Sequence, residues 1–323
     1  MVRQDFILKV IWLFIWAISA IRYDVGTDFQ TYSNIYIYTS WDSFKPILEP
    51  GHQVLILLLK FLWNQSLIYF ATTSGIICFA FYHLIKQNSK NYILSSLVAI
   101  FLGSYLYSLN TIQQFLSYSI ILYSLKRNEN WLNNRKILLA SLFHLQSILL
   151  IPINFLAKQI IHIRKSIIIV TLLTSNLLGL IWNPGKAAAI ILERLDLLNF
   201  YLETDYLLYK SPTAYLKTIL PTWLAFKIIN SNEVLNKKTS TFVIFVILNN
   251  VFNGITLFSR FNYFLDLLLI IYSVNILDRF SRNGSRSLYY ILLFCYAAFS
   301  FYFHFIQQNG IGIFPFKTIF NPS

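Results

Sequence analysis

Charge is scarce in this chain: 13 Asp and Glu and 26 Lys and Arg among 323 residues, or 12% charged, about half the share that a water-soluble domain carries. With a mean hydropathy of +0.57, that deficit excludes an ordinary soluble enzyme and indicates a polytopic membrane protein. Cysteine is nearly absent. Cys78 and Cys295 are the only two, and both sit inside apolar stretches without a Cys-x-x-Cys or His/Cys cluster, so neither a disulfide framework nor a zinc site is indicated. There is no Walker A loop, no His-Glu-x-x-His, no Gly-x-Ser-x-Gly and no Asp-x-Asp. ATP-driven transport, zinc hydrolysis and metal-dependent nucleotide-sugar transfer therefore lose support, and no metal or other cofactor is expected. The period-two alternation of a membrane barrel is missing too, as are internal repeats and a low-complexity tail.

What is present is hydrocarbon. A spanning helix needs about 20 apolar residues, and by that measure about eleven segments qualify in whole or part: 6–21, 51–63, 66–85, 91–109, 112–125, 137–157, 166–182, 213–229, 240–258, 262–277 and 288–306. The expected fold is all-α, with ten to eleven transmembrane or re-entrant helices in one membrane domain over residues 1–323. The bulky residues Ala20, Ile21, Arg22 and Tyr23 offer no small-x-small cleavage site, so the first segment reads as an uncleaved span. The net charge of +13 comes from short basic runs between apolar segments, which suits anionic lipid headgroups and not nucleic acid. The 18% aromatic content fits membrane interfaces, and equally a genome rich in Phe and Tyr codons.

Placing Lys158–Lys165, Lys237–Lys238 and Arg279–Arg286 in the cytoplasm satisfies the positive-inside rule. If every segment crosses, Lys126–Arg127 and Arg135–Lys136 fall outside; if 51–63 and 137–157 do not cross, they return to the cytoplasm. Both arrangements put loop 22–50, loop 183–212, the turn around Arg260 and the C-terminal tail on the outer face. Within 183–212, the Leu-rich stretch with Glu193, Arg194 and Asp196 reads as an amphipathic helix on that face.

Ionisable groups near lipid are costly, and most of those here suit anchoring. Five groups invite more. After the first span comes Arg22 with Asp24, Gly26, Thr27, Asp28 and Tyr32; a turn at Gly26 is expected to fold a carboxylate back to the guanidinium, making a phosphate or sugar-hydroxyl site. Glu49 precedes an apolar helix, as an N-terminal charge partner or a functional carboxylate. Asn110, Thr111, Gln113 and Gln114 form a polar knot that binds sugars or stitches helices. His144 is expected about two turns into a span, where a lone histidine is more often a satisfied core residue than a base. Arg260, Tyr263 and Asp266 share one helical stripe by their spacing.

Taken in order, Arg22 with Val25, Gly26, Thr27, Asp28 and Tyr32, then Glu49-Pro50-Gly51, Asn110 to Gln114, Phe143-His144 with Pro152, Arg260 with Tyr263, and Phe314-Pro315-Phe316 resemble the EpsG/Wzy-like family of bacterial polysaccharide polymerases. Two positions depart from its pattern: Gln113 stands where an arginine is usual, and Phe316 where a tyrosine is usual. The resemblance implies a GT-C-like glycosyltransferase of the cytoplasmic membrane that joins polyprenyl-diphosphate-linked oligosaccharide units on the outer face, without metal, alongside a flippase and chain-length regulators. Arg22 and Arg260 would then bind the diphosphate, with Tyr32, Tyr263, Gln113 and Gln114 as further substrate contacts. Asp28, Glu49 or His144 would orient or deprotonate the acceptor hydroxyl, His144 being the preferred base. A lipid-linked oligosaccharide flippase and a non-catalytic subunit of an assembly complex are the other readings.

Overall fold

The computed structural model describes residues 2–42, 49–123, 132–181, 212–231, 235–252, 256–276, 283–307 and 312–321. Among these residues the structure is helical, broken only by turns and by isolated bridges at Arg22, Thr318 and Asn321. The chain divides into two compact units, Met1–Ile151 with Ser273–Ser323, and Pro152–Tyr272.

In the first unit, α1 (Val2–Ala20) runs antiparallel to α4 (Ser66–Asn88). Asp5, near the start of α1, accepts from Tyr82 (2.9 Å) and pairs with Lys86 (3.0 Å) at the end of α4. Midway, Trp12 stacks on Phe81 at 5.1 Å, and Phe81 stacks on Phe115 of α7 (Ile112–Tyr123) at 6.3 Å. Farther along, the Trp16 indole donates to the Ala71 carbonyl at 2.9 Å. Gly75 makes this approach possible, since a Cβ there would lie 3.0 Å from Trp16 Nε1. Interdigitated aromatics thus hold the pair, and α1 delivers Arg22 to the end of the unit opposite the Asp5 ion pairs.

Five more helices surround that end or lead to it. They are α2 (Phe29–Tyr38), α3 (Pro50–Leu62), α5 (Tyr92–Phe101), α6 (Ser104–Asn110) and α8 (Asn134–Ser141), the last followed by a 3-10 turn, Leu145–Leu149. Helix α2 lies inside residues 22–50, which the sequence presents as a loop. Its last carbonyls are satisfied by Lys60 of α3, which donates to Ile37 O (2.9 Å) and Thr39 O (2.8 Å), the side-chain solution to orphan groups at a helix end. The Gly103 φ of 83° separates α5 from α6, and the two are bent by 49°.

The second unit is built from most of α9 (Leu150–Ile160) with α10 (Lys165–Ile181), α11 (Pro212–Ile229), α12 (Lys237–Phe252) and much of α13 (Thr256–Asn275). A polar seam runs between α10, α11 and α12. Asn250 donates to Ser175 (3.2 Å) and accepts from Thr222 (3.0 Å), while Asn176 donates to Thr218 (3.2 Å) and Thr222 (3.4 Å). Beside it, a Cβ on Gly179 would come within 1.9 Å of the Asn250 carbonyl oxygen, so α10 and α12 meet at a contact only glycine permits. Small residues allow this proximity, and the amides and hydroxyls then bond across it. The final helix, α14 (Asn283–Phe301), continues into a π turn, Tyr302–Gln307, in the first unit.

The eleven apolar segments all contain helix, but fewer are straight spans than expected. Among the described residues one helix, α4, is long and apolar enough to cross a membrane, and the bent α5–α6 pair adds a second if counted as one span. Segment 137–157 is divided among α8, the 3-10 turn and α9. The amphipathic stretch in 183–212 lies outside the described residues.

Candidate functional site

Five of the six sequence pieces meet in the first unit. Backbone bonds join the first piece to the last: Tyr23 N donates to Lys317 O (3.1 Å), Ile319 N to Ile21 O (2.9 Å) and Gly26 N to Gly312 O (2.9 Å). Gly26 takes a φ of 95°, and Asn110 locks the turn, its Oδ1 accepting from the Asp28 N–H (2.9 Å) and the Thr27 hydroxyl (3.1 Å). A Cβ on Gly26 would sit 3.1 Å from that same oxygen. One amide of the third piece therefore sets the shape of the first.

This arrangement corrects the expected Arg22 carboxylate pair. Asp24, with a φ of 50°, is exposed, the Asp28 backbone is fixed by Asn110, and neither carboxylate pairs with the guanidinium. Arg22 is instead 1% exposed, lies over the Phe70 ring at 4.9 Å, and has Nε and Nη1 without a hydrogen-bond partner. The ring gives a cation–π contact, but it does not replace hydrogen bonds, and an unpaired buried charge costs on the order of several kcal/mol. Burial lowers the Arg22 pKa to about 10, against the pull of Tyr105, Tyr69 and Tyr32. The group stays cationic at neutral pH.

The second and fourth pieces form the other contact. Gly51 N donates to Leu142 O at 2.8 Å, and a Cβ on Gly51 would meet the Phe143 ring at 2.9 Å, so this glycine is the seat for Phe143. Glu49, with a φ of 49°, occupies the N-cap of α3, yet its carboxylate does not cap that helix. It pairs with His144 Nδ1 at 2.7 Å and accepts from Leu145 N at 3.4 Å. His144 is not two turns into a span. It stands in extended backbone (φ −156°, ψ 112°) at the break before the 3-10 turn, half-buried, with Nε2 3.3 Å from Gln146 Oε1.

His52 links the two halves, and sequence reasoning did not single it out. Fully buried on α3, it contacts Gln113 Nε2 through Nδ1 (2.9 Å) and Tyr69 Oη through Nε2 (2.9 Å). The Tyr32 ring lies 6.4 Å from the His52 ring and 6.2 Å from Tyr69. Tyr69 is within electrostatic reach of Arg22, and Glu49 of both His52 and Tyr69. Hydrogen bonds thus join Tyr69 to His52 and Glu49 to His144, while electrostatic reach alone links Arg22 to Tyr69 and Glu49 to His52. Gln114 turns away from this cluster, donating to Tyr118 Oη at 2.8 Å, because successive residues on a helix do not share a face.

The Arg260 stripe belongs to the second unit. Arg260 lies in α13 with its side chain outside the described residues, Tyr263 is half-buried on the same helix, and Asp266 is within electrostatic reach of Lys217 on α11. No group of three or more metal-ligating side chains occurs among the described residues.

The family model described as EpsG matches residues 6–318. The chain belongs to the EpsG family. The match runs from the first helix to the tail that pairs with Tyr23 and includes Arg22, Glu49, His52, Tyr69 and His144. The EpsG family is associated with polysaccharide biosynthesis, membrane location and glycosyltransferase-like polymerase activity. No curated protein and no solved structure matches the chain.

Proposed function

We propose that the chain is a polytopic, GT-C-like glycosyltransferase of the bacterial cytoplasmic membrane, joining polyprenyl-diphosphate-linked oligosaccharide repeat units on the outer face. The observation that carries this reading is a buried, unpaired guanidinium in electrostatic reach of the hydrogen-bonded Tyr69–His52 pair, itself in reach of a carboxylate that holds an imidazole. These are the two charge requirements of the transfer. The leaving diphosphate needs a cation whose bonds strengthen as the glycosidic bond breaks, and the attacking hydroxyl needs a base.

In the proposed step the acceptor hydroxyl oxygen attacks the anomeric carbon of the donor sugar. The bond from that carbon to the phosphate oxygen breaks, and polyprenyl diphosphate leaves with the electron pair beside Arg22. His144 Nε2 takes the hydroxyl proton. Glu49, accepting from Nδ1–H at 2.7 Å, fixes the tautomer that puts the lone pair on Nε2, from which the Gln146 amide turns aside to admit the acceptor hydroxyl, and stabilises the imidazolium that results, the role a carboxylate plays in the serine hydrolase triad. Asp28 and Tyr32 are assigned to substrate hydroxyls. The donor and acceptor are lipid-linked, so a flippase that presents them and a regulator of chain length are the expected protein partners.

The test is glycan length on a gel from cells carrying Arg22→Ala or His144→Ala. Single, unpolymerised repeat units are the expected product in both; wild-type chain lengths in both would sink the assignment.

A further inference from the structure

The sequence draws attention to arginine, histidine and carboxylates, and Tyr69 has none of those marks. It sits in the apolar run of α4, 0% exposed, next to Phe70 on which Arg22 rests. Its hydroxyl has one described hydrogen-bond partner, His52 Nε2 at 2.9 Å. On the far side of that ring, Gln113 presents its amide N–H group to Nδ1 at 2.9 Å. A ring nitrogen that accepts from an amide has no proton of its own, so in neutral His52 the proton is on Nε2 and is donated to Tyr69 Oη. The phenol is thereby used as an acceptor, and its single O–H proton remains to be given elsewhere. Buried donors are rarely left unmatched. Here the free phenol proton and the unpartnered Nε–H and Nη1–H groups of Arg22 belong to residues in mutual electrostatic reach.

We propose that Tyr69 is a direct ligand of the anionic group bound by Arg22, donating its hydroxyl proton to a phosphate oxygen, and that His52, held by Gln113, is the positioning residue that frees this proton. The proposal rests on the diphosphate reading of Arg22 and deepens it, adding a neutral donor to the cation. It also gives Gln113 a task without substrate contact. An arginine at that position would carry charge into the cluster, whereas the glutamine passes only a hydrogen-bond direction through His52. Phosphate oxygens lack protons at neutral pH, and a site made wholly of donors favours them over sugar hydroxyls, which must also donate.

The test uses the full chain in detergent, with calorimetric titration of farnesyl diphosphate, inorganic diphosphate and farnesol. Wild type is expected to bind farnesyl diphosphate and not farnesol, with inorganic diphosphate reporting how much of the affinity the phosphates supply. Tyr69→Phe, which removes one oxygen, should weaken farnesyl diphosphate about tenfold, the scale of one hydrogen bond to a charged group. His52→Leu should weaken it similarly, but add nothing in the Tyr69→Phe background, since it acts through that hydroxyl. His52→Gln, whose amide can both accept from Gln113 and donate to Tyr69, should restore affinity to within about threefold of wild type. Unchanged affinity in Tyr69→Phe while Arg22→Gln loses binding overturns the proposal and leaves the diphosphate reading standing. Absence of binding in wild type, or equal binding by Arg22→Gln, overturns both. An effect of His52→Leu that persists in the Tyr69→Phe background removes the positioning role. If Tyr69→Phe fails to fold, the comparison of His52→Gln with His52→Leu decides alone: equal affinities overturn the relay.

Discussion

The seam between α10, α11 and α12 and the cluster around Arg22 both bury polar side chains between helices, and they do so in opposite ways. In the second unit Ser175, Asn176, Thr218, Thr222 and Asn250 bond to one another across three helices, and all five find protein partners. Around Arg22, two nitrogens of the guanidinium are left over. Closed networks stitch helices together; surplus buried donors are what an anion from outside the protein can satisfy. The contrast separates adhesive polarity from chemical polarity where composition alone cannot, since both regions are Ser-, Thr-, Asn- and Gln-bearing apolar sequence.

The largest effect that would sharpen this contrast is at His144. His144→Ala should lower polymer synthesis by about 10²–10⁴-fold, the usual contribution of a general base, with the thermal midpoint in detergent nearly unchanged; a large fall in stability instead would make it a structural histidine. Glu49→Gln should reduce the rate less and add little to His144→Ala, because the two act as one unit. Next in size is Gly179→Ala, where the new methyl meets the Asn250 carbonyl. Overpacking of this kind costs about 1–3 kcal/mol, so the melting point should fall while turnover per folded molecule is kept. Thr222→Val, which removes the hydroxyl from the seam, should cost about 1 kcal/mol, again without a change in turnover. The smallest effect is expected at Lys60→Met, which strips the donors from the carbonyls ending α2: about 0.5–1 kcal/mol, seen as faster hydrogen exchange at that helix end. Activity lost in proportion to stability at all five positions would break the distinction between the seam and the candidate site.

Much of the helical framework is legible in the sequence because apolar runs of this length have little alternative, yet the breaks are not. Segment 137–157 reads as one span, but the chain opens at His144, where the imidazole meets a carboxylate 95 residues away. No local pattern encodes that pairing. The same holds for Arg22. Spacing brought Asp24 and Asp28 to mind as its partners, and the actual geometry is dictated by Asn110, 82 residues from Asp28. Glu49, His144, Gln113 and Arg22 were recognisable by type and order, whereas His52 and Tyr69 become visible only once α3, α4 and α7 are packed together.

The short backbone pairing between residues 21–26 and 312–321 carries a consequence for biogenesis. Arg22 emerges from the ribosome long before the carbonyl groups of Gly312 and Lys317 that bind the N–H groups of Gly26 and Tyr23. Until then the turn that bears the guanidinium is unfinished, so a nascent or prematurely terminated chain holds the cation without its geometry. A stop codon shortly before Gly312 would leave almost every helix intact and still give an incomplete first loop. Completion of the site thereby waits on a stretch at the far end of the first unit's sequence.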